Sequence, residues 1–290
     1  MLEKYKDFCF NFAGKYALDS LEYFEGLRPQ LTKAGLDISL PEYLSMMYVS
    51  TGATFLGIFL FIGSLMALTT GITGLMIGLI FAILTSVFIF VGFYLYPKIL
   101  ISNRSSQIRD TLPFATMYLS TLAGTGSSLP EIFQNLSEVD EYGEVSKEAQ
   151  KISRDVNSLG MDMTEALKRA AERTPSDDFE ELVWGINHSI TTGGSLREFL
   201  RQRAEGLMND YQRRVREFAD SLSLLVEMYI TIVIVGSIIF TSMSAVMSSF
   251  ASMSPDLVVT VQVISIFIGL PLISGMFIIF VRGIAPGGIR

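Results

Sequence analysis

The sequence predicts an all-α, polytopic membrane protein: four transmembrane helices in two hairpins, with a cytoplasmic bundle of helix pairs between them. Three observations predict it. No charged residue lies between Glu42 and Lys98, between Glu227 and Asp256, or between Asp256 and Arg282. All 22 Lys and Arg fall in the first 50 residues, in 98–223, or in the last nine. The long middle segment carries helix caps and turns, and no alternating run of strand length.

Composition alone does not decide the class. The chain has 290 residues, 50% of them hydrophobic, which is ordinary for a soluble domain; the distribution of those residues carries the argument. A crossing takes roughly 20 apolar residues. The first uncharged run has room for two and each later run for one, which places spans near 47–69, 75–97, 228–250 and 258–281. Thr69–Gly74 forms the first turn. The two expected hairpin tips, Thr69–Gly74 and Ser252–Asp256, carry no positive charge. The bias of Lys and Arg toward cytoplasmic segments then puts both termini and the middle segment in the cytoplasm, and the chain in the cytoplasmic (inner) membrane.

Taken in order, residues 1–46 read as cytoplasmic amphipathic N-terminal helices. Leu2, Tyr5, Phe8 or Cys9, Phe12 and Tyr16 recur at helical spacing, as do Leu21, Phe24 and Leu27. This stretch either lies on the membrane or packs on the cytoplasmic domain; its polar face mixes acids with lysines, which favours packing. Gly35 fits a helix C-cap, and Ser39-Leu40-Pro41-Glu42 opens the next helix with a cap, a first-turn proline and a reciprocal acid. Residues 47–97 form the first transmembrane hairpin. Residues 98–223 form a bundle of about six helices, and 224–290 a second hairpin with a short tail.

The bundle segment contains a threefold repetition, Gly-x-cap-apolar-x-Glu-apolar-apolar, beginning at Gly126, Gly160 and Gly193. Its physics is local. The glycine ends one helix in a left-handed conformation. Ser128, Asp162 or Ser195 caps the next, and Glu131, Glu165 or Glu198 returns to the cap amide. The 33–34-residue period is that of solenoid repeats. Neither the tetratricopeptide nor the ankyrin signature is present, however, and the units cannot extend into the membrane helices. Each period holds one helix pair.

The sequence offers no catalytic constellation. One His and one Cys supply no zinc site, and Cys9 and His188 read as packed residues. No Gly-Lys-Ser/Thr follows the glycine pairs, so no nucleotide loop is present; no cofactor is implied and the chain does not read as an enzyme. A net charge of −7 and a pI near 4.9 argue against nucleic acid. Glu227 is the ionisable residue drawn into the membrane portion. It is functional, or it snorkels or pairs with Arg282. Gly74 with Gly78, and Ser244 with Ser248, are small residues spaced for close helix packing, within the protomer or against another subunit. Arg213, Arg214 and Arg216, with Arg197, Arg201 and Arg203 upstream, either anchor the chain to anionic membrane lipid or dock an acidic partner.

The order of these features resembles the type II secretion system F family, the platform proteins of type IV pili, archaella and Tad pili. The matching residues are Leu112-Pro113, the run Leu122–Leu129, Asp155-Val156 before Gly160, Ala166-Leu167 and Thr174-Pro175-Ser176. They continue through Thr192–Leu196, Phe199-Leu200 and Glu227 at the start of a membrane helix, and Leu31–Leu36 upstream also matches. The acid-rich composition and the Thr-Pro-Ser turn lean toward an archaeal member. The resemblance implies a non-catalytic platform above a hexameric secretion ATPase, helping to extract pilin-like subunits. It carries the helical domain once where many members carry it twice, which implies a second F-family subunit as partner. Met228 stands where bacterial members commonly have proline after the glutamate, which leaves a kink-dependent role for Glu227 in doubt. A small transporter or a membrane scaffold or sensor is the alternative; the first lacks paired broken helices and the second lacks an outer sensing segment.

Overall fold

The computed structural model describes residues 2–36, 38–66, 71–250, 260 and 263–284 of the protein. Among them every regular element is helical. Helix α1 (Leu2–Asp19), a single turn α2 (Leu21–Phe24) and α3 (Leu27–Ala34) precede α4 (Leu40–Ile58), which continues through a π-helical turn, Phe59–Gly63, to Met66. Then follow α5 (Ile72–Gly124), α6 (Leu129–Ser137), α7 (Glu144–Asn157), α8 (Met163–Arg173) and α9 (Asp177–Thr192). Helix α10 (Leu196–Ile230) runs through a second π turn, Thr231–Val235, into α11 (Gly236–Phe250), and α12 (Leu270–Ile284) follows a third, Ser265–Gly269.

Among the described residues three helices are long and apolar enough to cross a membrane: Leu40–Met66, Ile72–Gly124 and Leu196–Val246. The fourth expected span is described as helix over 263–264 and 265–284, with an apolar stretch, Ile266–Val281, shorter than the other three. Its expected turn, Ser252–Asp256, lies outside the described residues, as do Thr69 and Thr70 of the first. The helices overrun the segments read from hydropathy. Helix α5 continues 27 residues past Pro97, and the third span is the end of a 51-residue helix. The physical reason is that hydropathy changes at a membrane boundary while the i→i−4 hydrogen bonds do not. Pro97 and Pro113 both sit inside α5.

The first hairpin is joined by its small residues. Gly74, Gly78 and Ala82, one every fourth residue along α5, are all buried. A Cβ added at Gly78 would lie 2.5 Å from Gly63 Cα, in the π turn of α4. The glycine pair therefore packs α5 against its own hairpin partner. Nearer the bundle, buried Tyr43 donates its hydroxyl to the Phe93 carbonyl at 2.6 Å. The N-terminal helices pack here too: Ala17, Leu27, Leu31, Leu40, Tyr43, Leu44 and Met47 form one buried cluster, with Phe90 and Phe93 against it.

The second core lies between Ile108 and Leu207. Leu112, Phe133, Ile152, Leu167, Phe179, Leu182 and Leu200 are its large buried side chains, one or more from each of α5 to α10. Helices α6 with α7 and α8 with α9 pack as pairs, and α5 with α10 form the two long staves of the bundle. The repeat glycines 126, 160 and 193 have φ of +80°, +66° and +72°, the left-handed stops that the sequence predicts. The caps differ from one another. Ser128 and Glu131 form the full reciprocal box, the Ser128 amide donating to Glu131 at 2.9 Å. Asp162 accepts from the Thr164 amide at 2.9 Å, and Ser195 from the Glu198 amide at 3.3 Å. Glu165 and Glu198 do not return to their caps. Glu198 is bonded by Arg201 at 2.7 Å and Glu165 lies 4.0 Å from Arg169, because a cation one turn on competes for the carboxylate.

Candidate coupling site

Helix α5 is apolar until Lys98, and Arg104 is the next cation along it. Where α5 leaves the apolar hairpin, the Arg104 side chain turns inward and uses three nitrogens to join α5 to two other helices. Its Nη1 donates to the Lys33 carbonyl at the end of α3, at 2.7 Å. Its Nε donates to Glu144 at 2.8 Å, and its Nη2 to Glu148 at 2.8 Å, both on α7. The planar fork of a guanidinium suits such a three-way junction; an ammonium would not hold the same geometry.

Gly35, the C-cap of α3, makes that approach possible. Its φ of +73° is left-handed, and a Cβ built on it would stand 2.6 Å from Arg104 Nη1. The position requires glycine for both backbone and space.

The network extends across α7. Glu148, with a fully buried side chain, also accepts from Arg173 Nε on α8 at 2.8 Å and from Lys151 at 3.1 Å. Arg173 Nη1 reaches Asp155 at 3.0 Å, and Lys147 reaches Glu144 at 2.7 Å. Glu144, Glu148, Lys151 and Asp155 lie at helical spacing along one edge of α7, beside the apolar stripe Val145, Ala149 and Ile152. Burial raises the pKa of Glu148, but the hydrogen bond from Arg173 and the charges of Lys151 and Arg173 outweigh it, so the carboxyl ends below its ordinary value. Glu144 is lowered against the same opposing burial, by bonds from Lys147 and Arg104. Both acids are therefore held as carboxylates and fully engaged, which suits a joint and not a proton-transfer site. Arg173 Nη2 is buried without a partner. Among the described residues no group of three His, Cys, Asp or Glu is arranged to hold a metal ion.

The residues singled out from sequence lie elsewhere. Arg201 pairs with Glu198 and Glu205 on its own helix, and Arg213 with Asp210 and Glu217. Arg203 reaches across to Glu181 at 2.6 Å. Arg214 donates to the Arg109 carbonyl at 3.4 Å and Arg216 to Gln212 at 3.4 Å. The Arg197 guanidinium lies over Gly124, where an added Cβ would be 3.4 Å from its Nε. The arginines are thus spread along α10, and Arg201, Arg203 and Arg213 pair with acids. Glu227 is exposed beside Leu222, Ser223, Val226, Ile230 and Thr231; the side chain of Arg282 lies outside the described residues. Ser244 is half-buried, and the side chain of Ser248 is also outside them. His188 is exposed and Cys9 buried.

Sequence reasoning missed Arg104, Glu144, Glu148, Asp155 and Arg173. The available signal was slight: Glu148 and Asp155 recur with the apolar stripe of α7 instead of opposite it.

Residues 115–244 match the model of a known family, described as type II secretion system (T2SS), protein F. An uncharacterized protein of Methanocaldococcus jannaschii is 28% identical over 199 residues, covering 66% of this chain and 33% of its own. Flagella accessory protein J of the same organism is 28% identical over 137 residues, 47% of this chain and 24% of its own. Flagella accessory protein J of Methanococcus voltae is 26% identical over 174 residues, 60% and 30%. Each match spans a third or less of the relative's length. No solved structure matches. With three membrane-length helices among the described residues, and a match to a secretion-system family, the chain is a membrane protein. The matched span contains Glu144, Glu148, Asp155 and Arg173; Arg104 and the Lys33 carbonyl join them from outside it.

Proposed function

We propose that the chain is a platform subunit of a type IV pilus-like machine, of the archaellum type suggested by the accessory-protein relatives. In this reading it lies in the cytoplasmic membrane with four spans, and with bundle and termini inside. It has no catalytic site. A hexameric secretion ATPase moves the bundle, and the membrane helices pass that motion to pilin-like subunits, with a second F-domain subunit completing the platform.

The observation that carries this reading is the continuity of α5 and of α10 with α11. At about 1.5 Å per residue, helices of 53 and 51 residues are each roughly 80 Å long. A push on the bundle end of such a helix is delivered to its apolar end without an intervening loop. The charge pattern supports the orientation, because the cations lie on the bundle side of the apolar runs. The exposed arginines 201, 213 and 216 are candidate contacts for the ATPase or for lipid. Exposed Glu227, and the small-residue face at Ser244 and Ser248, are candidates for the second subunit.

Co-purification of the full chain with its cognate ATPase tests the proposal. Binding that disappears when 101–223 is replaced by an unrelated helical bundle supports it; binding unchanged by that replacement contradicts it.

A further inference from the structure

We propose that α1 is a membrane-surface helix, whose aromatic flank inserts into the leaflet and holds lipid acyl chain in the crook it forms with α4. The proposal rests on the reading of Leu40–Met66 as a membrane span.

Helix α1 crosses α4 on a stripe of small buried residues, Cys9, Ala13 and Ala17. Its two flanks then differ in chemistry and in what they face. On one flank Lys6 pairs with Glu42, in the first turn of α4, at 3.2 Å. On the other, Phe8, Phe12 and Tyr16 are 62%, 77% and 73% exposed. They line a cavity of about 700 Å³ whose opposite wall is Tyr48, Val49, Gly52, Ala53 and Leu56 of α4. Leu56 lies 14 residues beyond Glu42, roughly 20 Å further along the span. The Lys6 side of α1 therefore lies toward the end at which α4 begins, and the side bearing Phe8, Phe12 and Tyr16 toward the hydrocarbon.

Water is a poor occupant for this crook. Its walls are aromatic and aliphatic, Phe8 and Phe12 stack at 6.5 Å, and Gly52 meets no atom within 4 Å of an added Cβ. Contiguous exposed aromatics on this scale mark an interaction surface, and aromatic side chains favour the boundary between headgroups and chains. Continuity with α4 selects the occupant, since the far wall belongs to the helix that lipid chains would already surround. Helix α1 mixes Lys6 and Lys15 with Asp7 and Asp19, so insertion is driven by apolar area and not by anionic headgroups.

The test uses the full chain in phospholipid nanodiscs, with Trp184→Phe as background and single tryptophans read by quenching from chain-brominated lipid. Phe81→Trp, in the apolar hairpin, reports the span; Phe12→Trp reports the aromatic flank; Phe10→Trp reports the opposite side of α1. The expected result is quenching of the tryptophan at 12 within about twofold of that at 81, little at 10, and no dependence on anionic lipid content. Quenching at 81 with none at 12 overturns the α1 proposal alone, as does equal quenching at 10 and 12. Absence of quenching at 81 overturns the span, and the α1 proposal with it.

Discussion

The two long helices leave the apolar region for the bundle under different constraints. On α5 the exit is closed by a buried ion cluster: Arg104 touches α3 and α7, Glu148 is fully buried, and Arg173 brings in α8. Toward the exit of α10, Arg213 is solvated and pairs within the helix, with Asp210 and Glu217, and Arg214 reaches the Arg109 carbonyl. Below these exits the hairpins differ in the same sense. The first is closed on Gly63 and Gly78. In the second, Tyr229 bonds Ser274 at 2.7 Å and stacks on Phe277 at 4.6 Å, yet none of the most apolar stretch of Leu196–Val246 is buried. The difference teaches which part is built as one body. The N-terminal helices, first hairpin and bundle are fastened together, while the second hairpin presents its faces outward.

The largest expected effect breaks the fastening. Glu148→Ala removes the buried carboxylate that Arg104 and Arg173 share, leaving Arg104 only Glu144 and Arg173 only Asp155 as acidic partners among the described residues. Removing one partner of such a cluster costs about 3–5 kcal/mol, read as a lower Tm in detergent or nanodiscs. Arg213→Ala, toward the solvated exit, is expected to leave Tm unchanged; equal losses at the two sites would erase the contrast.

Glycine substitutions sharpen the comparison between hairpins. Gly78→Ala forces a Cβ to within 2.5 Å of Gly63 Cα, an overpacking cost of about 1–3 kcal/mol. Gly236→Ala, with open space around it, is expected to be neutral or stabilising by up to about 1 kcal/mol. Thermal unfolding of the two variants side by side checks the opposite signs.

A smaller effect lies in pH. Glu144 and Glu148 have folded pKa values below their ordinary 4.5, so the folded state holds their protons more weakly than the unfolded state. Their contribution is fully present above about pH 4.5 and is lost as pH falls through the lower folded values. Tm measured over that window should fall more steeply for the wild type than for Glu148→Gln.

What was legible in the sequence follows from range. The caps at Ser39, Ser128, Asp162 and Ser195 depend on residues within one turn, and they form where the pattern places them. The membrane runs were legible because 20 uncharged residues in a row have few other uses. The continuity of α5 past Pro97 was not, since a change from apolar to charged residues looks like a boundary whether or not the backbone continues. Gly74 and Gly78 announced a close contact, but not that Gly63 and a π turn would meet it. The ion cluster was the least legible. Lys33 and Arg104 are 71 residues apart, and the place of Glu148 beside the apolar stripe of α7 does not say which cations would meet it.

The central claim is that Arg104 fastens α3, the first hairpin and the bundle into one unit, which the second hairpin joins through α10 and not through the ion cluster. Hydrogen exchange of the reconstituted full chain, wild type against Arg104→Gln, tests it most directly. The account predicts faster exchange in both 27–36 and 144–157, with 224–246 unchanged. Acceleration confined to the neighbourhood of residue 104, or equal acceleration in 224–246, would contradict it.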